Sequence, residues 1–176
     1  MVLAAFFAAL LCISSYIIIP IGPVPHSMQP AFIFLNALVL GAKTGCVSIL
    51  VWFALGIIGL PVFAGGKAGL ATFIEPTGGF LIGFLIATFV IGSLTDKKNL
   101  SFRQNILILM LGLIIIYILG LIGFKLSMQY VLGKSFSWQT SFGLVVVPFL
   151  PFDIVKAIIA TYLGLKIKKA LFYFER

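Results

Sequence analysis

Leu144–Lys166 reads LVVVPFLPFDIVKAIIATYLGLK, an apolar run long enough to cross a bilayer, which takes about 20 residues. One acid and one base, Asp153 and Lys156, interrupt its centre. On insertion scales such groups cost roughly 2.5–3.5 kcal/mol each at a helix centre, so intramembrane charges usually pair and usually serve function. A spacing of three puts both on one helical face, one turn apart. Pro148 and Pro151 are poor in a helix interior but suit its first turn. A helix starting near Pro151 places Asp153 in that first turn, where the positive helix end stabilises a carboxylate. Lys156 then lies one turn deeper. A pair that only neutralises itself near a helix end is the plainer alternative.

The rest of the chain fits a membrane setting. Of 176 residues, 62% are hydrophobic and 9% charged, against about 25% charged in soluble domains. No charged side chain precedes Lys43, and residues 44–66, 76–95 and 104–124 carry none. This predicts a single all-α integral membrane domain, residues 1–176, with six spanning helices at 2–19, 29–41, 44–59, 78–95, 104–124 and 148–169. The second and third are short and separated only by Gly41-Ala42-Lys43-Thr44, which predicts a tight helical hairpin. VLAAFFAALLCISSYIIIP has no basic segment before it and no small-residue cleavage site after a short apolar core, so it reads as the first helix and not as a cleaved signal.

Charge sets the orientation. With six spans, one side collects Lys43, Lys97, Lys98, Arg103, Lys166, Lys168, Lys169 and Arg176, and the other Lys67, Lys125 and Lys134. Basic residues favour the cytoplasm, so both termini are expected there. The net charge of +8 is thus assigned to topology and lipid, not to nucleic acid. Three segments then face outward: proline-rich Pro20–Pro30, the glycine-rich apolar stretch LPVFAGGKAGLATFIEPT from Leu60 to Thr77, and Lys125–Thr140, which suits an interfacial helix. Irregular backbone is not tolerated bare in lipid. Apolar loops of this kind should pack over the helix ends above Asp153 and Lys156, and enclose a pocket open to the outside.

Other function classes find little support. Gly65-Gly66-Lys67-Ala68-Gly69 lacks the spacing and hydroxyl of a phosphate-binding loop, so no ATPase activity is expected of the chain itself. One histidine, His26, argues against a histidine metal site, and Cys12 and Cys46 read as packed thiols. The single histidine, scattered serines and absent H-E-x-x-H argue against an intramembrane enzyme, and the scarcity of ionisable groups in five helices argues against a channel. Ala4/Ala8 and Ala5/Ala9 form two overlapping small-xxx-small pairs on the first helix, a spacing that lets helix backbones approach closely in lipid.

Four motifs in order carry a resemblance: Gly22-Pro23-Val24-Pro25 with Gln29, Gly59-Leu60-Pro61-Val62-Phe63-Ala64-Gly65-Gly66, Pro76-Thr77-Gly78-Gly79-Phe80-Leu81-Ile82-Gly83-Phe84, and Pro151-Phe152-Asp153-Ile154-Val155-Lys156-Ala157. Together they resemble BioY, the biotin-binding S component of energy-coupling factor (ECF) transporters, with Pro-Phe-Asp where that family usually has Pro-Gly-Asp. The resemblance implies a six-helix S-component fold in a bacterial cell membrane and biotin as ligand. It implies no cofactor. It also implies partners, a transmembrane T component met through Ala4, Ala5, Ala8 and Ala9, and two cytosolic ABC-type ATPases. An S component for thiamine or riboflavin, or a biotin transporter working alone, are the alternatives. The expected ligand-binding set is Asp153, Lys156, Phe63, Gly65, Gly66, Phe73, Glu75, Thr77 and Gln29. Asp153 would accept a ureido N–H, while Lys156 would meet either the ureido oxygen or the carboxylate.

Overall fold

The computed structural model describes residues 1–19, 24–96 and 99–174. Gly22 and Pro23 of the first motif, and Lys97, Lys98 and Arg176 of the charge count, lie outside them. Its helices are α1 (Val2–Ser14), α2 (Gln29–Ile57), α3 (Gly78–Thr95), α4 (Phe102–Tyr130), α5 (Trp138–Val145) and α6 (Leu150–Phe174). A two-residue ribbon, β1 (Ile18–Ile19) with β2 (His26–Ser27), pairs Ile18 with Ser27 and Ile19 with His26.

α1 is shorter than expected. The hydroxyls of Ser14 and Ser15 donate back to the carbonyls of Leu11 and Cys12, at 2.7 and 2.6 Å, and satisfy the last turn. The β-branched residues that follow then pair as strand β1.

α2 contains the expected hairpin. Gly41 has φ 71 and ψ −172 inside the helix, a left-handed value that only glycine adopts at little cost. The chain doubles back there: Asn36 Nδ2 donates to the Gly45 carbonyl at 3.0 Å, although a straight helix would hold these residues about 13 Å apart. The two arms of α2 are about 18 and 24 Å long at 1.5 Å per residue, both less than the roughly 30 Å hydrocarbon core. A methyl group on Gly92 of α3 would collide with the Gly41–Ala42 backbone, so glycine is required where α3 crosses the hairpin tip.

α4 begins in a capping box between Ser101 and Gln104 and continues past the expected end to Tyr130. The next helix, α5, therefore starts only at Trp138. α5 and α6 meet at a bend of 48° and are together long and apolar enough for one broken span. With α2, α3 and α4 they make a multi-pass membrane protein, and the six-helix expectation holds when each arm of α2 is counted with α1, α3, α4 and the bent pair. Buried aromatic and aliphatic side chains from all of these form one core.

Candidate functional site

One end of the bundle holds a cavity of about 560 Å³, its open mouth included. Its polar lining comes from His26 and Ser27 in β2, Gln29 at the start of α2, Thr72, Thr77, Tyr117 in α4 and Asp153 in α6. Phe63, Phe80, Phe84 and Phe149 supply its aromatic walls. The loop from Leu60 to Thr77 is held over it by two long-range bonds. Trp52 Nε1 donates to the Val62 carbonyl at 2.9 Å, and the Tyr16 hydroxyl donates to the Pro61 carbonyl at 2.6 Å.

Asp153 lies in the first turn of α6, as its proline-flanked position predicts. The Tyr117 hydroxyl donates to Oδ2 at 2.6 Å and Lys156 Nζ donates to Oδ1 at 2.8 Å. A carboxylate has about four lone-pair sites, so two remain unused. Lys156 differs. Its ammonium also donates to the Ser27 carbonyl at 2.8 Å and to His26 Nε2 at 2.9 Å, which uses all three protons. Asp153 and Lys156 are only 3% and 7% exposed. Asp153 lines the cavity, and Lys156 stands behind it.

His26 is held by this network and by stacking on Phe149, with ring centroids 4.8 Å apart and planes within 9°. Because Nε2 accepts from an ammonium, the ring proton sits on Nδ1 and the imidazole is neutral. Burial pushes its pKa below the usual value, Lys156 adds to that, and Asp153 partly opposes it. Nearby, the Ser27 hydroxyl donates to Gln29 Oε1 at 3.0 Å. Gln29 Nε2 and Thr77 Oγ1 are buried with no hydrogen-bond partner among the described residues, and both residues line the cavity. Unmatched buried polar atoms are costly and uncommon, and here they offer donors to a ligand.

The expected ligand set separates into two groups. Asp153, Gln29, Thr77 and Phe63 meet at the cavity. Phe73 stands behind Phe63, edge to face at 5.7 Å. Glu75 pairs with Lys67 on the covering loop. Gly65 and Gly66 form the turn beside them with φ of 80 and 71. These last four, with Lys156, support the walls and do not form part of the cavity lining.

Sequence reasoning does not find His26, Ser27, Thr72 or Tyr117. For Tyr117 a signal exists: it is the one hydroxyl in the aliphatic run LGLIIIYILG. The others sit in loop stretches with nothing to mark their fold partners.

The four alanines of α1 differ in burial. Ala4 and Ala8 are each 1% exposed, within the chain's own packing, while Ala5 and Ala9 are exposed. Residues four apart share a face, but neighbouring residues are about 100° apart on a helix. Ala5 and Ala9 are thus the pair left open by the chain's own packing. No described residue of α1 lines the cavity.

Comparison with known proteins agrees with this architecture. The BioY family model matches residues 1–173. A biotin transporter BioY from Thermotoga maritima is 39% identical over 166 residues, 94% of each chain. One from Rhodobacter capsulatus is 36% identical, over 89% of this chain and 86% of its own. The crystal structure of the S-component for biotin from an ECF-type ABC transporter superposes with a TM-score of 0.83 at 31% identity, over 96% of this chain and 89% of the other. The chain belongs to the BioY family.

Proposed function

We propose that this protein is the substrate-binding S component of a biotin transporter, taking up extracellular biotin in the cavity beside Asp153. One observation carries the reading: a buried carboxylate with unused acceptor capacity faces the same cavity as an unmatched amide donor, Gln29 Nε2. The ureido ring of biotin has two N–H donors and one carbonyl acceptor, which complement that arrangement. Asp153 accepts a ureido N–H, Gln29 and Thr77 donate to biotin oxygens, and the phenyl walls cover the thioether bicycle. Charge-assisted bonds of this kind are strong where water is excluded. Lys156 contributes chiefly by pairing with Asp153 and holding its carboxylate in place. For Lys156 to reach biotin, one of its three present bonds would have to be exchanged.

In this reading the chain sits in a bacterial inner membrane with both termini in the cytoplasm, and the cavity opens on the opposite side. It performs no chemistry of its own. Energy comes from two cytosolic ABC-type ATPases through a transmembrane T component, and the exposed Ala5/Ala9 stripe of α1 is the surface that meets that component. Binding of labelled biotin to detergent-purified protein tests the first part, with thiamine and riboflavin as controls. A nanomolar constant, about −12 kcal/mol, is expected for biotin alone. Equal binding of either control, or none of biotin, rejects it. Ala5→Trp with Ala9→Trp should abolish ATP-dependent uptake in cells carrying the module and leave biotin affinity unchanged. Full uptake by that variant would remove α1 from the contact.

A further inference from the structure

Phe63 and Phe80 face the cavity, and each ring rests against a glycine of a neighbouring helix. A methyl group on Gly56 of α2 would overlap the Phe63 ring, and one on Gly120 of α4 would overlap the Phe80 ring. Neither glycine is among those with positive φ. Gly56 lies in the last turn of α2 and Gly120 inside α4, and alanine is the better helix former at helical positions. Backbone conformation therefore does not require glycine at either place, but the rings do.

The rings have limited directions in which to yield. Trp52, Phe53 and Phe73 surround Phe63 at centroid distances of 5.3, 6.3 and 5.7 Å. Beside Phe80, the backbones of α3 and α4 are in contact at Gly79 and Gly123, which fixes the spacing of these helices. Close-packed surroundings transmit displacement rather than absorb it; Phe80, 9% exposed, keeps an open side toward the cavity, whereas Phe63 is fully buried in the wall behind it. We propose that Gly56 and Gly120 are specificity-determining residues. Without touching the ligand, they set the width of the cavity by letting Phe63 and Phe80 sit back from it. The ligand this width suits rests on the biotin reading above; the notches themselves do not.

Gly56→Ala, Gly120→Ala, Phe63→Leu and Phe80→Leu, with the two matched double variants, test this by biotin titration and thermal melting. Each glycine substitution should raise the biotin Kd at least about tenfold, because the displaced ring occupies ligand space. The melting temperature without biotin should stay within about 2 °C of wild type for Gly120→Ala, whose ring has open space beside it, and fall further for Gly56→Ala, whose ring must push its buried neighbours. Each double variant should bind within about threefold of its leucine parent, the coupling expected of residues in contact. Unchanged affinity in both alanine variants would overturn the proposal. So would double variants whose losses simply multiply, or a fall of many degrees in the melting temperature of Gly120→Ala, which would mean the Phe80 ring has nowhere to go. Wild-type protein that ignores biotin would sink the biotin reading alone, and the melting temperatures would still decide the notches.

Discussion

Asp153–Lys156 and Lys67–Glu75 are the same chemical pair in two settings. The first lies at the cavity wall with side chains 5% and 8% exposed, and its lysine has two further acceptors. The second ties the covering loop to itself, with both side chains 36% exposed. Removing an ion pair from water costs several kcal/mol per ion, and only good geometry with extra hydrogen bonds offsets it. The buried pair meets that condition through Tyr117, Ser27 and His26. The loop pair remains in contact with solvent and stabilises little. The difference teaches that an ion pair near a binding site is weighed by its remaining partners and its burial, not by its own distance.

The largest effect should come from dismantling the buried pair. Lys156→Met leaves Asp153 without its counter-charge, and loss of one buried partner costs about 3–5 kcal/mol of stability. Asp153→Asn keeps the shape but removes the charged acceptor, and should weaken biotin binding by about 2–5 kcal/mol. Denaturation in detergent and calorimetry measure these. Near wild-type values in both variants would place the two pairs in one class.

Acid should come next. His26 must be neutral to accept from Lys156, and its pKa is held low by burial and by that ammonium. As pH falls, the unfolded chain takes up a proton near pH 6.5, before the folded one does. This contribution to stability is therefore complete above about pH 6.5 and is lost as pH falls through the lower folded value, by roughly 1.4 kcal/mol per unit of lowering. Melting profiles between pH 8 and 5 should show the fall, and His26→Gln, a neutral acceptor, should flatten it. A wild-type profile no steeper than that of the variant would contradict the neutral imidazole.

The smallest effect belongs to the loop. Lys67→Gln or Glu75→Gln should change stability by less than about 1 kcal/mol, and any effect should vanish in high salt. A loss of biotin affinity as large as that of Asp153→Asn would bring the loop pair into the site.

Much of this was legible in the chain. The helices follow from long uncharged runs, the hairpin from Gly41 between two short ones, and the buried pair from its rarity in apolar surroundings. The partners of that pair were not legible. His26 lies 130 residues from Lys156, and Tyr117 lies 36 from Asp153, so only the fold brings them together. The faces of α1 were hidden for a different reason. In a membrane helix the lipid-facing and protein-facing sides are both apolar, so Ala4/Ala8 and Ala5/Ala9 read alike until packing separates them. The end of α1 was misjudged because Ile17, Ile18 and Ile19 continue its apolar pattern while their β-branched side chains favour the ribbon that forms.

The structure of the protein with biotin bound tests the central claim most directly. It should show the bicycle inside the cavity, a ureido N–H donating to the Asp153 carboxylate, and Gln29 Nε2 engaged by a biotin oxygen. Biotin lodged outside this cavity, or inside it with no donor on Asp153 and Gln29 still unpaired, would contradict the account.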